Sequence, residues 1–233
     1  MEGGLLIGLY GTVTVWIISA FLAIFMGLLF TVGILNKTHI IQVSVRWLIN
    51  FSRGIPTSIY VILGGLLVIK GHSALSLPAI FPGTLDGFEP VAWAITFALA
   101  FGSAGHLAEI FVASYVSMDK ARLEQLTVMG FSGIHKFMIA ARECAYIAIP
   151  PTSTRMIHHL HNTAFASLFP VVELFGNIQT SASTSFKVFE ITVIGCGLYI
   201  LLSGSIWLVF RVFEALLSPQ RGFNIFSVTR LGQ

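Results

Sequence analysis

The chain has 233 residues; 55% are hydrophobic, only 10% are charged, and the formal net charge is +3. Soluble domains carry about 25% charged residues, so this composition excludes a fully solvated surface and makes a lipid bilayer the solvent. Membrane lipid is therefore an expected partner, and nucleic acid is not.

A membrane-crossing helix needs about 20 predominantly apolar residues. Five such stretches run over about residues 9–35, 47–69, 91–115, 146–172 and 188–213, so an all-α membrane protein with about five transmembrane helices is expected. The first follows Met1-Glu2 rather than a basic region, which predicts a retained span and not a cleaved signal peptide. The second opens on Arg53-Gly54-Ile55-Pro56. A proline is harmless at a helix start, where its missing donor is unneeded. A turn-rich loop with Pro78, Pro82, Gly83, Gly87 and Pro90 follows, with Asp86 and Glu89 as its acids. The fourth stretch is the most polar. Pro150 and Pro151 near its start read either as a break in a helix or as an ordinary start after a turn. Cys144 and Cys196, far apart in apolar surroundings, are expected to be buried thiols without a disulfide framework. No internal repeat or soluble domain is evident, so residues 1–233 read as a single transmembrane domain.

Basic residues set the orientation, because cytoplasmic loops carry the excess of Lys and Arg. With the N-terminus outside, the cytoplasmic side holds Lys37, Arg46, Arg53, Lys120, Arg122, Lys136, Arg142, Arg211, Arg221 and Arg230. The outside keeps only Lys70 and Lys187, and Arg155 falls within the fourth span. Five spans then place the C-terminal tail in the cytoplasm.

Between the third and fourth spans, about residues 118–142 form the longest polar connection. Asp119 can cap a helix whose Leu123, Leu126 and Met129 recur at helical spacing. Gly130 suits a left-handed helix end. Ser132 can cap a second helix with Ile134, Phe137, Met138 and Ala141 on one face. Two short amphipathic helices around a glycine turn are predicted. They serve either as an interfacial shield for the bundle or as a rigid element docked into a soluble partner.

The stretch "EQLTVMG", residues 124–130, resembles the Glu-Ala-Ala-x-x-x-Gly signature, the EAA loop, of bacterial ABC importer permeases. "SRGIP" (52–56), "LAEIF" (107–111) and "HNTAFASLFPVVEL" (161–174) resemble, in order and spacing, motifs of the polar amino acid branch, the histidine/glutamine/arginine permease-like proteins. The resemblance covers about residues 5–215. It departs at Gln125 and Leu126, which replace the two alanines, at Val112 and His161, which replace an arginine and a lysine, and at the missing proline near Arg142 and Glu143. It implies a type I ABC importer permease fold with a cytoplasmic coupling-helix loop. Arg122, Glu124, Gln125 and Gly130 would then couple the chain to an ATPase.

Several polar residues in or near the spans need partners. Glu109 should face protein or water, since a mid-membrane carboxylate is costly, and an ion pair with Arg53 is the simplest solution. Arg53 can also snorkel to the headgroups. His158 and His161 are three apart and share a helix face. A metal there would need a third ligand, so no metal is assigned. A polar stripe toward a central pathway, with Arg155, Asn162 and Thr163, is the preferred reading. Arg155 is expensive unless it meets a carboxylate, either of a charged solute or of Glu173 or Glu109. Glu173 is taken as a structural polar group. Ser103 and His106 form a possible serine–histidine pair but lack a third group and an oxyanion arrangement.

There is no Gly-x-x-x-x-Gly-Lys-Ser/Thr loop, so the chain is expected to be no enzyme, with ATP and Mg on separate subunits. The resemblance implies a permease in the bacterial inner membrane with three kinds of partner. They are a second permease protomer, identical or paralogous, two cytoplasmic ATPase subunits, and a periplasmic or extracellular solute-binding protein. The delivered solute would be a polar amino acid or a relative of one. The competing expectation is a non-transport membrane protein, an intramembrane protease or assembly factor, with an interfacial helix pair.

Overall fold

The computed structural model describes residues 2–71, 77–84, 87–118 and 120–218. Asp86, Asp119, Arg221 and Arg230, singled out above, lie outside them. The order is α1 (Glu2–Ile34), α2 (His39–Gly54), α3 (Thr57–Gly71), α4 (Glu89–Val116), α5 (Lys120–Val128), α6 (Gly133–Asn162), a 3-10 helix (Thr163–Leu168), α7 (Leu174–Ser185) and α8 (Val188–Leu217).

Among the described residues α1, α4 and α8 are each long and apolar enough to cross a membrane, and α2 with α3 forms a further, broken pair. The expected second span is thus not one straight helix: the two halves meet at 97°. The cause is local. Ile55 precedes Pro56 and is held in extended conformation (φ −110, ψ 133), because the proline ring clashes with an α-helical residue before it. α6 has 30 residues, about 45 Å at 1.5 Å per residue, which is ample for a bilayer. It is more polar than the other three. It also corrects two expectations. The second helix of the polar connection is not short but is the start of α6, and α6 continues through Pro150 and Pro151 without a break. Each proline removes only one donor, so the carbonyls of Tyr146 and Ile147 lose partners while the turns on either side hold.

α4 is the hub. It packs on α1, α2, α3 and α6, and 56% of its apolar window is buried against 11% for α8. Its small residues Gly102, Ser103, Ala104, Gly105 and Ala108 are all buried and allow close helix approach. At Gly105 a Cβ would sit 2.8 Å from Ser52 Oγ and 2.9 Å from the Ile49 carbonyl, so only glycine lets α2 lie on α4. Leu107, Met156, Leu160 and Ile206 form the core between α4, α6 and α8. Leu174, Ile178, Ala182 and Ile191 seat α7, a helix absent from the sequence expectation, against α8. α8 turns Ile200, Leu201, Leu208 and Phe213 outward, the apolar surface a bilayer would cover. Cys196 is exposed on that helix, contrary to the expected burial, and Cys144 is half-buried.

Candidate functional site

The polar groups fall into four places. The first is the bundle centre. His159, fully buried, sits between two serines: Ser19 Oγ of α1 is 2.7 Å from its Nε2 and Ser103 Oγ of α4 is 2.7 Å from its Nδ1. One turn earlier on α6, Arg155 Nη2 donates to Ser103 Oγ and to the Gly102 carbonyl, both at 3.1 Å. An arginine only donates. Ser103 can accept from Arg155 and give its own proton to His159 Nδ1. The imidazole proton then lies on Nε2 and goes to Ser19, whose hydroxyl donates to the Val15 carbonyl at 2.7 Å. Each proton is used once, and α1, α4 and α6 are tied together. Trp16 Nε1 adds a bond to the Met156 carbonyl at 3.1 Å.

This arrangement corrects two expectations. Among the described residues no carboxylate meets Arg155, so the bridge to Glu173 or Glu109 is not made. Ser103 is held by His159 and Arg155 rather than by His106. His159, which clusters in sequence with His158 and His161, stands four positions after Arg155 on one helix face, a spacing that marks neighbours, and it is this histidine rather than the other two that enters the network. Buried Ser19 lay hidden in an apolar helix.

The five residues of the expected polar stripe do not gather in one cluster. His158 and His161 are exposed, with ring centroids 6.3 Å apart. His161 Nε2 lies 3.3 Å from Ser203 Oγ of α8. Asn162 is half-buried at the end of α6. Buried Thr163 spends its hydroxyl on the Leu160 carbonyl, closing the helix. No group of three His, Cys, Asp or Glu side chains suited to a metal occurs among the described residues.

The second place is Glu109 on α4. Its Oε1 is 3.1 Å from Arg53 Nη1 and 3.6 Å from Arg46 Nη1. The pair with Arg53 is as expected, and Arg46 joins it because α2 lies along α4. The third is Glu173, 1% exposed. It caps α7 by accepting from the amides of Phe175 and Gly176, so it is a structural polar group. Thr12 of α1 accepts from the Leu174 amide at 2.9 Å.

The fourth is the elbow between α5 and α6. Gly130 has φ +77. Its amide donates to the Thr127 carbonyl and the Phe131 amide to the Leu126 carbonyl, both at 3.1 Å. These two bonds are the signature of a left-handed helix stop. Ser132 occupies the N-cap position of α6, but its hydroxyl pairs with His135 Nδ1 at 2.7 Å rather than with an amide. Glu124 and Gln125 are exposed on α5, which also contains Arg122. Val128, Met129, Ile134, Phe137 and Met138 are all more than 60% exposed. A cleft of about 400 Å³ between α5, α6 and α8 is lined by Leu126, Arg142, Tyr146 and Leu217.

No protein-family profile matches the chain. It is 30% identical over 169 residues to the probable amino-acid permease YxeN of Bacillus subtilis, covering 72% of this chain and 70% of that one. It is 26% identical over 184 residues to the octopine transport system permease OccM of Rhizobium radiobacter, covering 77% and 71%. It is 25% identical over 211 residues to the histidine/lysine/arginine/ornithine transport system permease HisM of Salmonella typhimurium, covering 87% and 86%. Among solved structures, an amino acid ABC transporter crystallised with histidines superposes with a TM-score of 0.74 at 18% identity, over 91% of this chain and 94% of that one. The MetNI methionine transporter gives 0.69 at 14%, over 94% and 98%. The fold is therefore that of type I ABC importer permeases, and a protease or assembly factor is disfavoured. With a multi-pass helical bundle, a central polar network and relatives of this kind, the chain belongs to the amino-acid permease family of ABC transporters, as a membrane subunit and not an ATPase.

Proposed function

We propose that this permease moves a polar amino acid or a related solute into the cell, paired with a second permease protomer and powered by two cytoplasmic ATPase subunits that bind ATP and Mg. A solute-binding protein outside delivers the cargo. The N-terminus lies outside and the C-terminus in the cytoplasm, which places the α5–α6 elbow on the ATPase side. Residues 1–233 act as one transmembrane domain, with α6 as the fourth crossing and residues 118–142 as the coupling loop.

The observation that carries this reading is the elbow. A short helix is stopped sharply at Gly130, and a cluster of large apolar side chains beside it is left uncovered. Exposed patches of this kind mark interaction sites. Arg122, Glu124 and Gln125 give the helix a polar register for a partner, and Gly130 sets the angle at which α5 leaves α6. When the ATPases close and open, α5 is moved as a unit and α6 carries the displacement into the bundle. Arg155 and the polar groups around it face the solute path, with His158 and His161 toward α8 and Asn162 and Thr163 at the end of α6 behind them.

The test is co-purification of the full-length chain with its ATPase, combined with Gly130→Val. Valine is strained at φ +77, because a β-branched residue there crowds its own backbone. The expected result is a normal amount of chain in the membrane, uptake reduced at least tenfold and transport-linked ATPase stimulation lost. Unchanged uptake together with unchanged stimulation refutes the docking assignment.

A further inference from the structure

Arg155 differs from the other arginines whose contacts are described. Arg46 and Arg53 share Glu109, Arg211 pairs with Glu214 at 2.8 Å, and Arg142 donates to the Leu217 carbonyl at 3.3 Å at the end of α8. Arg155, in the middle of the bundle, meets only neutral acceptors, Gly102 O and Ser103 Oγ. Its Nε is buried and donates to nothing, and the buried hydroxyls of Thr152 and Ser153 on the same helix also have no partner. Thr152 precedes Arg155 by three residues and shares its face. Buried polar atoms without partners are rare enough in folded proteins to require a reason.

A water molecule would satisfy a hydroxyl but would not balance a half-buried guanidinium. A carboxylate does both, and Arg presents a planar fork suited to it. Among the described residues none is offered here: Glu109 is held by two arginines and Glu173 by two amides. A cationic side chain would find repulsion and no free acid.

We infer that Arg155, with the hydroxyl of Thr152, receives the carboxylate of the solute, and that the solute carries no net positive charge. The class is a zwitterionic or acidic amino acid or a close relative. This rests on the importer reading above and narrows it, setting the cargo apart from the lysine, arginine and ornithine, though not the histidine, for which the Salmonella relative is named. His159 is a positioning residue in this scheme: through Ser103 it keeps Nη2 engaged and holds the guanidinium in place.

The inference is tested by uptake of each of the twenty amino acids, radiolabelled, in a strain lacking this chain and complemented with the full-length protein. Neutral or acidic amino acids are expected to accumulate, and L-arginine and L-lysine are not. Arg155→Gln should raise KM for the accumulated solute about tenfold to a hundredfold, the range expected for a charge-assisted hydrogen bond. Arg155→Lys should recover part of that loss, since it keeps the charge without the fork. If Arg155→Gln fails to reach the membrane, Thr152→Val is read instead, with KM expected to rise several-fold. Preferred uptake of L-arginine or L-lysine, or a wild-type KM in the variant that is read, overturns the inference while leaving the importer reading intact. ATP-dependent uptake of none of the twenty, and of no amino acid derivative such as octopine, overturns both.

Discussion

The centre of the bundle and the α5–α6 elbow are built on opposite terms. At the centre, polar side chains are buried and most are matched: Ser19, His159, Ser103 and Arg155 pass protons along one chain of hydrogen bonds. At the elbow, apolar side chains are exposed and unmatched, with Val128 89% and Met129 71% exposed. The two mismatches point to different companions. A buried charge with an idle donor calls for a small anionic group that comes and goes. Uncovered apolar surface beside a rigid turn calls for a protein that stays or returns often.

The comparison can be broken first at the centre. His159→Ala removes a fully buried ring and strands the Ser103 hydroxyl against Arg155. A loss of about 3 kcal/mol is expected from the cavity and the lost bonds together. It would be read as a lowered unfolding midpoint of the purified protein in detergent, and an unchanged midpoint would show that the network is not cohesive. Next in size is Gly105→Ala. The added Cβ must push against the Ile49 carbonyl, a backbone atom that cannot rotate away, and overpacking of this kind costs about 1–3 kcal/mol. A cross-link between cysteines introduced in α2 and α4 should form more slowly in this variant.

A smaller effect is expected from Glu173→Ala, which deletes the cap of α7. About 1 kcal/mol is the usual cost of losing such a cap. Faster hydrogen exchange should be confined to the first turn of α7; exchange that is uniformly unchanged would argue against the capping role. The smallest stability change belongs to the elbow. Glu124→Ala on exposed α5 should alter stability by less than about 0.5 kcal/mol while reducing co-purification of the ATPase. If the variant instead melts early and still binds its ATPase, the contrast between centre and elbow is wrong.

Much of this architecture could be read along the chain. Long apolar runs marked α1, α4 and α8 because, without water, a backbone must satisfy itself within a helix. Gly130 announced its left-handed turn, and the order of short motifs announced the family. Other features had no local signal. The 97° bend at Ile55-Pro56 follows from a proline rule, but hydropathy averaged over the stretch conceals it. α7 was missed because its polar run, Gln179–Ser185, resembles a loop and is held in place by Leu174, Ile178 and Ala182 packing against Ile191. The span through Pro150 and Pro151 stayed helical because neighbours on α4 and α8 hold α6 on both sides of the prolines.

The amino-acid order by itself determined that this protein lives in a membrane and where the glycine turn at Gly130 falls. Those properties depend on composition and on neighbours within a few residues. Only the tertiary structure decided which polar side chains meet. Ser19, Ser103 and His159 are 56 to 140 positions apart in the chain, and no periodicity links them. Arg155 could have met Glu109 or Glu173. The packing of α2 on α4 gave Glu109 to Arg46 and Arg53, and the start of α7 claimed Glu173, so Arg155 was left with the neutral acceptors Gly102 O and Ser103 Oγ.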